Sequence, residues 1–325
     1  MPSFELPLQL APVDPRLFFT RNDPGDPRMG DIVARDIERV PEGARVALIG
    51  VPQDIGVERN GGRTGAAGAP DAIRAMFYRL TPYDAATSRS VPKDFLVDMG
   101  NIRCDGDLEE IHERLATVTA AVCRAGLLPL VLGGGHDITY ASASGVHQVH
   151  GALGAFNFDA HLDVRPASPL RNSGTSFRML IDEGKLAPES FVEFGIQSFA
   201  NAEGHVRWLL DAGGTIMTLG EIREIGYDQA LARALATGSP LSSPLYATLD
   251  IDGVRAADAP GVSAAMPDGF ASAELLVAAR RLGRRHSTVA LDIAEMNPRF
   301  DRDNITAKLA AHAAMQFVMG VAERG

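Results

Sequence analysis

The chain has 325 residues, 46% of them hydrophobic and 22% charged, with a formal net charge of −10. That is an ordinary globular composition, long enough for one large α/β domain or two smaller ones. The negative balance excludes a general surface for nucleic acid or anionic membrane, and two cysteines without a CxxC pair, Cys104 and Cys123, exclude a thiolate zinc site and fit a reducing cytoplasm.

Residues 1–42 are rich in Pro, Asp and Arg and are expected to form an irregular arm with little core of its own. From Arg45 the pattern alternates. Val46–Val51 is an apolar strand, followed by the Gly-rich loop 60–70 and a helix over 71–78. A weaker strand follows at 95–97, then an amphipathic helix over 108–125 ended by Gly126, and a strand at 127–132 running into Gly133-Gly-Gly-His136. Further strands are expected at 153–158, 190–194, 215–219, 245–249 and 288–293, with helices at 202–212, 227–236, 271–283 and 304–322. Such alternation predicts an α/β fold, a single three-layer αβα domain over 1–325 with a mostly parallel sheet and a core at 43–325. No basic segment followed by an apolar one opens the chain, and no uninterrupted apolar run reaches spanning length. Neither a secretory signal nor a membrane is therefore expected.

Ligand-type side chains gather at three strand ends. Asp159, His161 and Asp163 occupy alternate positions after 153–158, so an extended backbone turns them to one face. Carboxylates that close repel unless a cation sits between them. His136 follows the strand 127–132, and Asp250 and Asp252 repeat the i, i+2 spacing after 245–249. Ligands of open α/β sheets bind outside the carboxyl ends of strands. A polar turn accounts for Asp159–Asp163 or for Asp250 and Asp252 alone, and a helix-capping or core role for His136 alone, but not readily for all three together. Two His and four Asp are too many for one zinc and suit two ions sharing bridging carboxylates, with the carboxylate excess favouring Mn2+. Asp137 reads as the N-cap of the following helix.

Taken together, Gly133-Gly-Gly-His136, Phe158-Asp-Ala-His-Leu-Asp163, Leu249-Asp-Ile-Asp252, Ala259-Pro-Gly-Val-Ser263 and Glu295-Met-Asn-Pro298 resemble the ureohydrolases, the family of arginase, agmatinase and formimidoylglutamase. The resemblance runs from about Val46 to the C-terminus. It implies an arginase-like fold, a homo-oligomer and two Mn2+ per subunit. One ion would take His136, Asp159, Asp163 and Asp250; the other would take Asp159, His161, Asp250 and Asp252. It also implies that Asp163 carries a proton and that Glu295 faces the cationic amidinium or guanidinium of a small-molecule substrate.

Two departures narrow the family. Ser173 stands where arginases and agmatinases usually carry a histidine, and Gly135 precedes His136 where they usually carry Asp. Both resemble formimidoylglutamase, which implies hydrolysis of N-formimidoyl-L-glutamate to glutamate and formamide in histidine breakdown. The two carboxylates of that substrate call for cationic or amide partners. The expected contacts are Arg63 and Arg178, with Asn60, Asn172 and Ser173 as neutral donors. The alternatives are another ureohydrolase that releases urea and a metal-binding scaffold without catalysis. Phosphate binding by the loop 60–68 lacks both the P-loop ending and the Rossmann spacing.

Overall fold

The structure, a computed structural model, describes residues 9–35, 39–238 and 243–324. Its strands are β1 (Leu10–Ala11), β2 (Val46–Gly50), β3 (Tyr83–Asp84), β4 (Arg89–Ser90), β5 (Leu96–Ile102), β6 (Leu128–Leu132), β7 (Leu153–Phe158), β8 (Leu186–Ile196), β9 (Thr215–Thr218), β10 (Leu245–Asp250) and β11 (Thr288–Ala294). β3 and β4 form a separate small hairpin. The other nine make one sheet in the order β1-β5-β2-β6-β11-β10-β7-β8-β9. All neighbours are parallel except the edge pair β1 and β5.

Strand residues alternate between the two faces of this sheet. Val46, Leu48, Leu130 and Leu132 join a cluster with the helices Ala69–Phe77, Ser272–Arg284 and Ile305–Ala322. Ala47, Ile49 and Val131 join the opposite layer with the helix Leu108–Arg124. Ala155, Tyr246 and Ala290 meet the helices Ile138–His150 and Ser176–Asp182 on a third cluster. This is the expected three-layer α/β arrangement. The helix Leu108–Arg124 starts where the Asp107 side chain accepts the Glu110 amide at 2.9 Å, a regular N-cap.

The arm is less irregular than its composition suggests. Leu10–Ala11 adds a strand to the sheet edge, and Met29 is fully buried in the core in a short helix. Residues 1–8 and 36–38 lie outside the described residues. Two strands run longer than expected. β5 continues through Asp98, Gly100 and Asn101, because a buried arginine neutralises Asp98. β8 starts early, through the polar stretch Pro188–Ser190.

By length and hydropathy Ile305–Ala322 is long and apolar enough to cross a membrane, which runs of uninterrupted apolar residues did not reveal. It is 67% buried and packs on Ser272–Arg284 and Ala69–Phe77. A Cβ on Gly283 would stand 2.3 Å from the Phe317 carbonyl oxygen, so these helices touch backbone to backbone. Its apolar surface is the kind that a buried core helix carries all round.

Candidate metal centre

Register decides where the site lies. Leu132, Ile293, Leu249 and Phe158 are aligned across β6, β11, β10 and β7. The chain therefore leaves four adjacent strands at one level, and the next residues converge there: His136 after β6, Glu295 after β11, Asp250 and Asp252 at the end of β10, and Asp159, His161 and Asp163 after β7. Asp163 and Glu295 have φ of +46° and +63°. Left-handed backbone is uncommon outside glycine, and it turns these two side chains out of the regular strand alternation. The loop to His136 passes so close to its neighbour that a Cβ on Gly134 would stand 1.5 Å from the Gln53 carbonyl oxygen. Only glycine fits there.

His136 Nδ1 lies 3.2 Å from Asp159 Oδ2, 2.9 Å from Asp163 Oδ2 and 3.2 Å from Asp250 Oδ2. His161 Nδ1 lies 3.5 Å from Asp159 Oδ1 and 3.2 Å from Asp252 Oδ2. Asp159 thus turns one oxygen to each group, as a bridge requires. These spacings fit metal binding, because ligand atoms about 2.1 Å from a shared octahedral ion stand about 3 Å apart. Both groups, His136–Asp159–Asp163–Asp250 and Asp159–His161–Asp252, have the donors and compactness to hold a cation. The resemblance also implies Asp250 as a bridge. Here its Oδ2 joins the first group, while its Oδ1 accepts the Asp252 amide at 2.7 Å.

The surroundings hold the ligands in place. His136 Nε2 pairs with Thr248 Oγ1 at 2.8 Å, which turns Nδ1 toward the carboxylates, and its ring stands edge-on to Phe177. The Asn157 amide donates to both Asp159 Oδ2 and buried Glu193. Asn201 accepts the Leu162 amide and donates to the Ala160 carbonyl, fixing the loop after β7.

The electrostatics favour a multivalent cation. Burial pushes the pKa values of Asp250 and Asp252 up, and neighbouring carboxylates add to the shift. Burial also pushes Glu295 up, to about 8, with Asp252 contributing. The Asp252 carboxylate drives His161 far above the imidazole range. Burial opposes charge on His136, yet Asp159, Asp163 and Asp250 outweigh it and raise its pKa. Two imidazolium ions are too little charge for so many buried acids. Asp252 Oδ1 is buried with no hydrogen-bond partner among the described residues, a lone acceptor of the kind that a cation satisfies.

A cavity of about 310 Å3 opens on the cluster. Asn60, Ser173 and Glu295 line it, and Asn60 Nδ2 donates to Ser173 Oγ at 3.1 Å. Three expected contacts lie outside its lining. Arg63 is held by the carbonyls of Val262 and Ser263 and lies over the Phe300 ring. Arg178 pairs with Asp182, one turn along its helix, and stacks on Trp208. Asn172 accepts the Gly174 amide and caps a short 3-10 helix. The arginine that does line the cavity is Arg165, whose guanidinium has no hydrogen-bond or ion-pair partner among the described residues. Asp137 holds the N-cap position but does not cap. Its φ and ψ of −61° and −22° are helical, and its side chain accepts instead from Gln53 at 2.7 Å and pairs with His112 at 2.9 Å.

A sequence profile of the Arginase family matches residues 44–320. The formimidoylglutamase of Aeromonas hydrophila is 35% identical over 330 residues, spanning 94% of this chain and 98% of its own. That of Geobacillus thermodenitrificans is 34% identical over 284 residues, spanning 84% and 83%. Trypanosoma cruzi formiminoglutamase, solved with Mn2+, superimposes with a TM-score of 0.86 at 30% identity, covering 92% of this chain and 100% of its own. Proclavaminate amidino hydrolase of Streptomyces clavuligerus does so with a TM-score of 0.80 at 27% identity, covering 90% and 96%. A profile match over most of the sequence and relatives aligned along nearly all of it establish that the chain belongs to the arginase family.

Proposed function

We propose that the protein is a Mn2+-dependent hydrolase that cleaves N-formimidoyl-L-glutamate to L-glutamate and formamide. The observation that carries this reading is the polarity of the cavity. It is lined by the buried acids Asp250, Asp252 and Glu295, by half-buried Asp163 and by exposed Arg165, which is unpaired among the described residues. A substrate with a cationic amidine at one end and carboxylates at the other matches that order. The cationic tail of agmatine does not. The formimidoylglutamases among its relatives support the same choice. The carboxylate and imidazole donors suit Mn2+, the ion present in the Trypanosoma cruzi structure.

Two bound divalent cations would supply Lewis acidity and an activated water near neutral pH. The protein's own residues do the rest. Glu295 accepts the His136 amide through Oε1 at 2.9 Å, which fixes its carboxyl and leaves Oε2 for the substrate amidinium. Asp163 reaches the cluster from the cavity side, 13% exposed, where it can hold a proton bound for the departing nitrogen. Arg165 suits a bidentate carboxylate contact. Two free cysteines support a cytoplasmic setting. Homo-oligomerisation, which the family resemblance implies, is open to size-exclusion measurement.

The direct test is steady-state turnover of formimidoylglutamate, arginine, agmatine and guanidinobutyrate. Chelator-treated protein is expected to be inactive and to recover with Mn2+, releasing formamide and glutamate. Urea release from any guanidino compound at a higher kcat/KM would overturn the choice of substrate. Glu295→Gln is expected to lower kcat/KM roughly 10- to 150-fold, the equivalent of about 1.5–3 kcal/mol for a hydrogen bond to a charged group. Ser173→His tests the departing position. The substituted side chain would displace the Asn60 contact, and a shift in the ratio of formimidoyl to guanidino turnover is expected. Unchanged selectivity would remove Ser173 as a discriminator.

A further inference from the structure

A dicarboxylate tail needs two anchors, and Arg165 is one. Arg165 continues the alternation of Asp159, His161 and Asp163, and its side chain packs against Gly174, where a Cβ would be 2.8 Å from Arg165 Cδ. Its fork can hold one carboxylate. The amide donors at the cavity are already engaged. Asn60 donates to Ser173, and Asn201 is bound to the backbone at residues 160 and 162. Besides Arg165, one cavity-lining side chain able to carry positive charge has no side-chain partner among the described residues. It is the half-buried imidazole of His205, in the first turn of the helix Glu203–Ala212.

We propose that His205 is the second carboxylate anchor, selecting a dicarboxylate tail over a monocarboxylate one, and that it takes up a proton as that tail binds. The assignment rests on the amidine reading of the cavity given above. Its chemistry is a proton transfer from solvent to the ring nitrogen, with no covalent step.

The charges around His205 support this. Burial lowers its pKa, and two cations, Arg165 from the loop after β7 and Arg178 from the helix Ser176–Asp182, lower it further. On its own helix Glu203 and Arg207 pair with each other. The acids Asp250, Asp252 and Glu295, which line the same cavity, are buried, whereas His205 is half-buried. The free ring is therefore neutral at pH 7, and a carboxylate placed beside it supplies the counter-charge that raises its pKa. The sign follows from linkage. Because the bound-state pKa is the higher one, the contribution of His205 to binding is complete below the free-state pKa. It is lost as pH rises through the bound-state value, so KM increases with pH across that window.

The test uses Mn2+-loaded protein with L-glutamate and 4-aminobutyrate as non-hydrolysable probes. Binding is followed by calorimetry at pH 7 in two buffers of different ionisation enthalpy. The parent is expected to take up protons on binding L-glutamate, and His205→Asn is expected to take up none. His205→Asn should also raise KM for formimidoylglutamate about tenfold, as expected for losing one charge-assisted hydrogen bond. Its kcat should stay within twofold and the rise of its KM with pH should be smaller than in the parent, while 4-aminobutyrate binding is unchanged. A fall in kcat at constant KM, unchanged proton uptake, or equal losses for both probes would overturn the anchor. If the parent binds L-glutamate with His205-dependent proton uptake but does not hydrolyse formimidoylglutamate, the anchor stands and the proposed substrate falls.

Discussion

Asp159→Ala is expected to lower metal-dependent turnover about a thousandfold or more and to reduce bound Mn2+ from two per chain to one or none. Asp159 is the one carboxylate with an oxygen in each ligand group, Oδ2 toward His136 and Oδ1 toward His161. Removing it takes a ligand from both groups and leaves His136, Asp163 and Asp250 without their common neighbour. Metal-assisted stabilisation of a hydrolytic transition state amounts to several kcal/mol, which corresponds to losses of this size. Metal analysis of the purified variant, alongside circular dichroism to verify folding, checks it. Two ions still bound with activity within a few-fold of the parent would sink the assignment. Asn157→Ala should give a milder version, because it removes a hydrogen bond to Asp159 and leaves the carboxylate itself in place.

Arg74→Ala is expected to destabilise the fold by about 3–5 kcal/mol. The side chain is fully buried in the helix Ala69–Phe77. It forks onto Asp98 of β5 through two bonds of 2.9 Å and reaches Asn101 Oδ1 at 2.6 Å and the Gly100 carbonyl at 2.9 Å. Tyr78 also donates its hydroxyl to Asp98. Burial opposes the charge on Arg74, but Asp98 outweighs it and keeps the arginine protonated. Alanine would leave the Asp98 carboxylate buried beside Tyr78 with no counter-ion, and that uncompensated charge sets the cost. For a chain of this length the melting temperature should fall by roughly 4–7 °C. Replacing both partners by apolar residues, Arg74→Met with Asp98→Leu, should recover part of the loss. A change below about 1 kcal/mol in Arg74→Ala would refute the account.

The acid–imidazole cluster was legible because its signal is local. Two i, i+2 repeats, Asp159/His161/Asp163 and Asp250/Asp252, and His136 after a third strand imply a shared sheet edge, but extended backbone is not what turns them inward, because residues 159–161 form bends, Asp163 has a φ of +46° and Asp252 lies in the 3-10 turn Ile251–Gly253. The proposed substrate contacts were not legible in that way. Arg63 and Arg178 are arginines of the right charge near the right motifs, but nearby carbonyls, aromatic rings and a carboxylate hold both. Arg178 did carry a warning, since Asp182 lies four residues along the same helix. Arg165 carried a positive signal, being the next alternate residue after Asp163. His205 had none. Its helix follows a loop leaving β8, and only the sheet order, with β8 beside β7, brings that loop to the cavity. Asp137 shows the limit of residue type as evidence. It sits at a helix start, yet its backbone is already helical and its carboxylate bonds to residues from other elements.

The ligands come from segments far apart in sequence, His136 near the middle of the chain and Asp252 more than a hundred residues later, joined only where β6, β11, β10 and β7 end side by side. An ion bound there fastens together pieces that the unfolded chain keeps apart, so it favours the native state in proportion to supply. At a thousand times its dissociation constant, one such ligand adds about 4 kcal/mol. The abundance of the protein in a cell should then follow manganese nutrition through its survival against proteases, a dependence separate from any effect of manganese on the rate of the reaction.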